Sequence, residues 1–516
     1  MRKEKSGTID KERIWCYNQK LDIYGKEGFT LAQNAGLTKR KKLGYALGIA
    51  ADSLLYNMYY TYFLTFLVQI VHVKPHLAGI VIFISIGWDA ITDPIVGNIS
   101  DRPGKDKRKM MLKSVLPLAL CFTVVWSGIG PKAFGEAQLP NVLLYTAVSM
   151  LIWLFYTIYT IPYYAVVAEL TEDYDERTVL RSQSSFVNAF CIGIGNIMPA
   201  LVGVGAITYM HVAGGLSILA VLSGLVCAAS LKGVYQARQA KEGEVVPKGL
   251  GIGTTLRSFG EITKLRPVKF FLLFVFFFLA GASMLQSNLS YMVVDCINTD
   301  YNSGIAIVIG MLVVTMAVAV PIVTKVCEKT DRRTACLIFI SVTVVGLVLL
   351  KVIGFDTQIG SFKIMLIGAP LLLGTGLSTF WTVFYSMAYD IVELDEYVNG
   401  QDGARRESMT TALPQLVQKF GSAAGILAQG MILSAYGYDA TSESGADAAT
   451  FVRPAESIVK GMENLSSLIP AAIMTLALLW LLLYPMTRKT YDALRVQLQK
   501  KRAGEEYSDA GLEKLL

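Results

Sequence analysis

The sequence predicts an all-α polytopic membrane protein, with twelve transmembrane helices in two six-helix pseudo-symmetric bundles. Of its 516 residues, 53% are hydrophobic and 17% charged, and the mean hydropathy is +0.47, a balance foreign to soluble chains of this length. The apolar residues fall into about twelve runs, each near the roughly 20 residues a helix needs to cross a bilayer. Two charged loop patterns recur at nearly one spacing. Asp331-Arg332 repeats Asp101-Arg102 after 230 residues, and the acidic and basic loop ending at Arg405 repeats the one ending at Arg177 after 228. Each offset shifts the chain by six spans, so the halves are parallel repeats, an architecture suited to alternating access around a central site.

Residues 1–42 are polar and mixed in charge, end in Lys39, Arg40, Lys41 and Lys42, and lack the apolar core and cleavage site of a signal peptide; they are expected to be a cytoplasmic tail. The first bundle, 43–232, has spans at 43–71, 77–100, 110–130, 141–168, 184–208 and 212–232. A polar stretch, 233–268, is expected to be a cytoplasmic linker. The second bundle, 269–487, has spans at 269–294, 303–326, 335–354, 362–391, 408–434 and 464–487, and residues 488–516 form a second cytoplasmic tail. The 101–113 loop carries six basic residues whereas the 72–76 and 209–211 connections carry one and none, so both termini are expected in the cytoplasm; the membrane is expected to be the plasma (inner) membrane.

The net charge of +7 gathers in these short loops, so it sets topology and implies no nucleic-acid partner. The seven cysteines form no CxxC arrangement, giving neither a metal site nor a disulfide framework. The three histidines, His72, His76 and His211, form no triad or metal motif, and no Gly-rich phosphate loop is present; an enzyme is not expected, nor an organic cofactor.

Chemistry concentrates at one depth. Asp89 and Asp93 lie four residues apart in an apolar span and so share a helical face. Counting about 1.5 Å per residue from the basic loops, Asp52, Asp89, Asp93, Thr157 and Thr160 all fall near the midplane, and Lys419 stands roughly 20 Å deep. Ionised acids at bilayer depth cost about 2.5–3.5 kcal/mol each on insertion scales and therefore face a bundle interior or a watery path. Carboxylates and hydroxyls at one level suit a hard cation, because their oxygens replace its hydration shell. The plain alternatives are structural: acids that hydrogen-bond neighbouring helices, a back-bonded Thr157, a Lys419 that snorkels, a Trp381 that packs rather than offering a face to a sugar ring. The charges Asp101, Arg102, Arg177, Asp331, Arg332, Glu393 and Arg405, at cytoplasmic helix ends, are candidates for gating ion pairs or, equally, a solvated topology-setting face.

The runs GWDAITDPIVGNISDR (87–102), YTIYTIPYYAVVAELTEDYDER (156–177) and YDIVELDEYVNGQDGARRES (389–408) resemble the glycoside-pentoside-hexuronide:cation symporters, a branch of the major facilitator superfamily that includes melibiose permease. The resemblance spans about residues 43–434 and implies the major facilitator fold. It implies a cation site at Asp89, Asp93, Thr92 and Thr157, with sodium, lithium or proton as coupling ion, and a solute site at Asp52, Tyr156, Thr160, Tyr164, Trp381 and Lys419. The sugar side departs from the melibiose permease pattern: Thr160 stands for an aspartate, Tyr164 for a tryptophan, Ser185 for an arginine and Ala51 for a lysine. The loss of an acid and an arginine keeps the charge balanced but removes bidentate partners for sugar hydroxyls.

The expected function is therefore a monomeric sodium- or proton-coupled symporter, bounded by membrane lipid, that imports a glycoside or related sugar. Two alternatives stand beside it: the same fold carrying a non-sugar solute such as an amphipathic lipid or organic anion, and a non-transporting membrane sensor or scaffold.

Overall fold

The computed structural model describes residues 37–100, 106–170, 174–202, 207–239, 259–297, 301–355, 357–359, 362–399, 407–438, 456–509, 511–513 and 515. A short lead-in helix, Lys39–Leu47, bends at Gly48 into α1 (Ile49–Gln69). There follow α2 (Pro75–Ser100), α3 (Lys107–Val125), α4 (Gln138–Leu170), α5 (Tyr174–Ile197) and α6 (Tyr209–Gln239). Next come α7 (Arg266–Ser287), α8 (Tyr301–Lys329), α9 (Arg332–Ile353), α10 (Ile364–Asn399), α11 (Glu407–Ala435), α12 (Leu468–Leu483) and a last helix, α13 (Arg488–Ala503). Among the described residues, nine helical stretches are long and apolar enough to cross a membrane. The other three of the twelve, α1, α3 and α5, carry more polar side chains, as their sequences require.

Three details differ from the expectation. The span placed at 184–208 is a helix ten residues earlier, because a helix does not stop where hydrocarbon ends and its polar first turns need only water or a cavity. A two-residue antiparallel ribbon, Gln358–Ile359 with Phe362–Lys363, interrupts the all-helical pattern between α9 and α10. The segment expected only as a tail, 488–516, folds back: Leu494, Leu498, Leu512 and Leu515 are all buried. The proposed N-terminal tail to residue 36 and most of the linker, 240–258, lie outside the described residues.

Close helix packing depends on small residues. A Cβ at Gly79 of α2 would come 3.1 Å from Leu427 Cα of α11, and one at Gly421 of α11 would come 2.6 Å from the Phe276 carbonyl of α7. With no hydrophobic drive between helices in lipid, such backbone approach supplies the packing energy. α11 is thereby pressed between α2 and α7, while α4 lies between α2 and α3, and α10 between α8 and α9. The outside is an apolar belt: Leu120, Leu143, Ile218 and Val318 are more than half exposed. Such a surface needs lipid around it.

Candidate functional site

α2 brings the two aspartates to one face, and Pro94, which lacks an N–H, leaves the Ala90 carbonyl without its helical donor beside them. Asp89 is 1% exposed. The Thr157 hydroxyl of α4 lies 2.6 Å from Asp89 Oδ1 and 3.1 Å from Asp93 Oδ1, so its single proton serves one carboxylate at a time. Lys419 Nζ of α11 lies 2.6 Å from Asp89 Oδ2 and is also bonded to Asp93 Oδ2. The two carboxylates thus turn one oxygen each to Thr157 and one each to the ammonium. Two negative charges and one positive leave the cluster at −1, which a monovalent cation or a proton would neutralise. The Thr92 hydroxyl donates to the Asp89 backbone carbonyl at 3.0 Å, so its proton is held within its own helix. Among the described residues no group of three or more His, Cys, Asp and Glu side chains is placed to hold a metal; the oxygens here are two carboxylates and hydroxyls, a set suited to a hard monovalent ion.

A second acid lies on α1. Asp52 accepts from Tyr156 and Tyr164, each at 2.5 Å, one on each carboxylate oxygen. Tyr164 is 40% exposed, so this acid borders open space through its tyrosine. The Thr160 hydroxyl donates to the Tyr156 carbonyl, consistent with a back-bonded helix threonine rather than a free ligand. Trp381 packs edge-on against Phe380 and Phe384 of its own helix. Of the expected solute residues the structure therefore joins Asp52, Tyr156 and Tyr164 directly, joins Lys419 to the aspartate pair instead, and leaves Trp381 among its own aromatic neighbours.

Sequence reasoning missed a ladder of uncharged polar groups. Ser53, Asn57 and Thr61 recur every four residues on α1 and meet Asn188 and Asn196 of α5. Ser53 bonds Asn188, Asn196 donates to Asn57 at 3.2 Å, and Thr61 donates to Asn196 at 2.5 Å. Gln286 of α7 then donates to Thr61 at 3.1 Å, carrying the ladder into the second six helices. The four-residue spacing was the available signal, hidden because none of these side chains carries a charge.

Of the seven expected gating residues, three have described side chains, and these make contacts within the second six helices and the last helix. Asp331 caps α9 by accepting from the Thr334 N–H and hydroxyl at 2.8 and 2.9 Å. Arg332 bonds Asp390 of α10 and stands 5.6 Å from the centre of the Tyr491 ring of α13. Glu393 lies beside Tyr491 as well. These contacts tie α9, α10 and α13 together. Asp101, Arg102 and Arg405 lie outside the described residues, as does the Arg177 side chain.

Residues 44–488 match the family model described as MFS/sugar transport protein. An uncharacterized symporter of Synechocystis is 26% identical, the alignment covering 89% of this chain and 96% of the relative. A glucuronide carrier protein homolog of Escherichia coli is 22% identical over 91% of this chain and 97% of its own. The sodium-dependent lysophosphatidylcholine symporter 1-A of Danio rerio is 26% identical over 32% of this chain and 31% of its own. Among solved structures, the nucleoside transporter NupG superposes with a TM-score of 0.59 at 13% identity, covering 87% of this chain and all of that one, a likeness of fold. The chain belongs to the MFS/sugar transport protein family and is an integral membrane transporter of the major facilitator type, not an enzyme.

Proposed function

We propose that the protein couples import of a glycoside or related sugar to the entry of sodium or a proton, and that Asp89, Asp93 and Thr157 form the coupling site. The observation that carries this is the Lys419 ammonium, seated between the two Oδ2 atoms. A positive charge is already required there, and a lysine, held on a long flexible side chain, is one that can leave. An entering cation would take the carboxylates and free Lys419 from α2, altering how α11 packs on α2. Affinity for solute and cation must then rise together, since coupling between two sites is reciprocal.

The contacts between the first and second six helices support a particular state. Toward the 72–76 connection, His76 bonds Ser434 at 2.9 Å, Gln69 donates to Tyr438 at 3.5 Å, and Gly79 lies against Leu427. Toward the basic loops, Tyr164, Tyr385 and Tyr389 are 40–53% exposed. With the basic loops in the cytoplasm, these contacts favour a state sealed on the outside, with Asp52 and its tyrosines lying toward the cytoplasmic side.

Gradient-driven uptake in proteoliposomes tests the proposal: Asp93→Cys should abolish accumulation. Accumulation with unchanged cation dependence would refute it. A non-sugar cargo, such as an amphipathic lipid or an organic anion, is favoured by one observation, the Asp52 carboxylate closed over by two phenols where sugar hydroxyls would bind. A screen of sugars, glucuronides and lysolipids by thermal stabilisation, with and without sodium, separates the two.

A further inference from the structure

The charges near the midplane do not balance. Asp52, Asp89 and Asp93 are three acids against the single base Lys419, so the described side chains at this depth sum to −2 when all are ionised. A monovalent ion between Asp89 and Asp93 raises the sum to −1, and the charge that remains belongs to Asp52. Lys419 is near enough for its charge to reach Asp52, but its ammonium is bonded to the other two acids. Asp52 instead accepts from the Tyr156 and Tyr164 hydroxyls, which are neutral, and it forms no ion pair among the described residues. A carboxylate at bilayer depth is costly without a positive partner. The Tyr164 hydroxyl holds Asp52 on one side and has Tyr385 of the second six helices nearby. These two tyrosines are 40% and 47% exposed, so the acid borders the space between the two halves of the molecule.

We propose that the solute carries a protonated amine, as an amino sugar or an amine-bearing glycoside does, and that Asp52 binds it. The proposal rests on the coupling reading above and names the solute class that completes it. The chemistry of the acid selects the guest. An ionised carboxylate has about four acceptor positions; the phenols fill one on each oxygen and leave the others for a donor. A primary ammonium brings N–H donors together with the missing positive charge. A sugar hydroxyl brings a donor without the charge, and an organic anion would set a second negative charge beside the first. Hydrogen bonds with an ionised partner are roughly twice as strong as neutral ones, so the amine gains most from this acid. With the ion and the ammonium both bound the centre is neutral, whereas either alone leaves a charge unpaired at a depth where that is costly. Ion and solute therefore favour each other's binding.

The test uses the full chain in nanodiscs, with binding read by thermal stabilisation at one fixed, saturating sodium concentration. The probes are matched pairs: glucosamine with glucose, galactosamine with galactose, and, without a sugar ring, phenethylamine with phenethyl alcohol. In at least one pair the amine should bind at least about tenfold tighter than its neutral partner, the lower end for a hydrogen bond to a charged group, and glucuronate should bind more weakly than glucosamine. Asp52→Asn should bring that ratio below threefold. Equal binding within every pair, which a proton or an inorganic cation on Asp52 would produce, overturns the proposal, and this comparison needs only the parent protein should Asp52→Asn fail to fold. No binding by any amine, or a preference that Asp52→Asn leaves intact, overturns it as well. A preference confined to phenethylamine would uphold the cationic solute and refute the sugar. An unmoved sodium midpoint in Asp93→Asn would refute the coupling site alone, because the amine ratio is read without changing sodium.

Discussion

Replacing Thr157 by valine removes one hydroxyl and nearly no volume, so it isolates what that oxygen does for the two carboxylates. In the structure the hydroxyl lies 2.6 Å from Asp89 Oδ1 and 3.1 Å from Asp93 Oδ1, and it is fully buried. A hydrogen bond to a charged group is worth about 1.5–3 kcal/mol. Because the one proton serves one acid at a time, one such bond is lost with Lys419 in place. With a cation in place the loss is larger by an oxygen ligand, and nothing in a valine replaces it. A difference of about 1.4 kcal/mol is tenfold in affinity, so Thr157→Val should weaken the sodium midpoint by about 10- to 100-fold. Thr157→Ser should stay within about threefold of the parent. Thermal stabilisation of purified protein over a sodium series reads this without knowledge of the solute. A Thr157→Val protein that folds normally with a midpoint within twofold of the parent would refute the assignment of Thr157 to the coupling site.

Lys419→Met leaves two carboxylates side by side without their cation, and breaking a buried pair this way costs about 3–5 kcal/mol. The melting temperature should fall sharply, and adding Asp93→Asn should recover most of the loss; simple additivity of the two changes would show that they do not interact. Gly421→Val should destabilise by at least about 1–3 kcal/mol, because a Cβ would meet the Phe276 carbonyl at 2.6 Å; an unchanged melting curve would contradict the close packing of α7 and α11. Thr61→Val breaks both links between Gln286 and Asn196, which should favour opening on the 72–76 side by about 1–3 kcal/mol. A cysteine placed at Ser434 should then label several-fold faster with a membrane-impermeant maleimide, and an unchanged rate would refute the link. Arg502→Gln leaves the Glu396 carboxylate, 6% exposed, without the guanidinium that holds both its oxygens at 2.7 Å. α13 should become readily cleaved by protease, and equal resistance would show that other contacts hold it.

Much of the molecule was legible because a bilayer punishes polarity. Long apolar runs must be helices when no water can satisfy the backbone, and the acids at Asp89 and Asp93 were conspicuous in them. The ladder from Ser53 to Gln286 was not, since an asparagine or threonine in a membrane helix has local partners and costs little. The course of α5 was hidden because charge density marks where lipid ends rather than where a helix ends. The tail beyond Arg488 read as solvated, yet Leu494, Leu498, Leu512 and Leu515 are buried; four leucines scattered through a charged segment form too weak a pattern to reveal their partner.

Composition and spacing alone establish a helical membrane protein of two repeated halves, and they place two aspartates and a lysine at depths where a charge needs a partner. Only the tertiary structure decided how they are joined: Lys419 bridges both aspartates, Asp52 is held by two tyrosines, and Asp331 and Arg332 serve their own end of the fold. Depth along a helix follows from counting residues, because the rise is constant. Which face meets which neighbour depends on helix rotation and packing between segments hundreds of residues apart, and no single stretch of sequence encodes that.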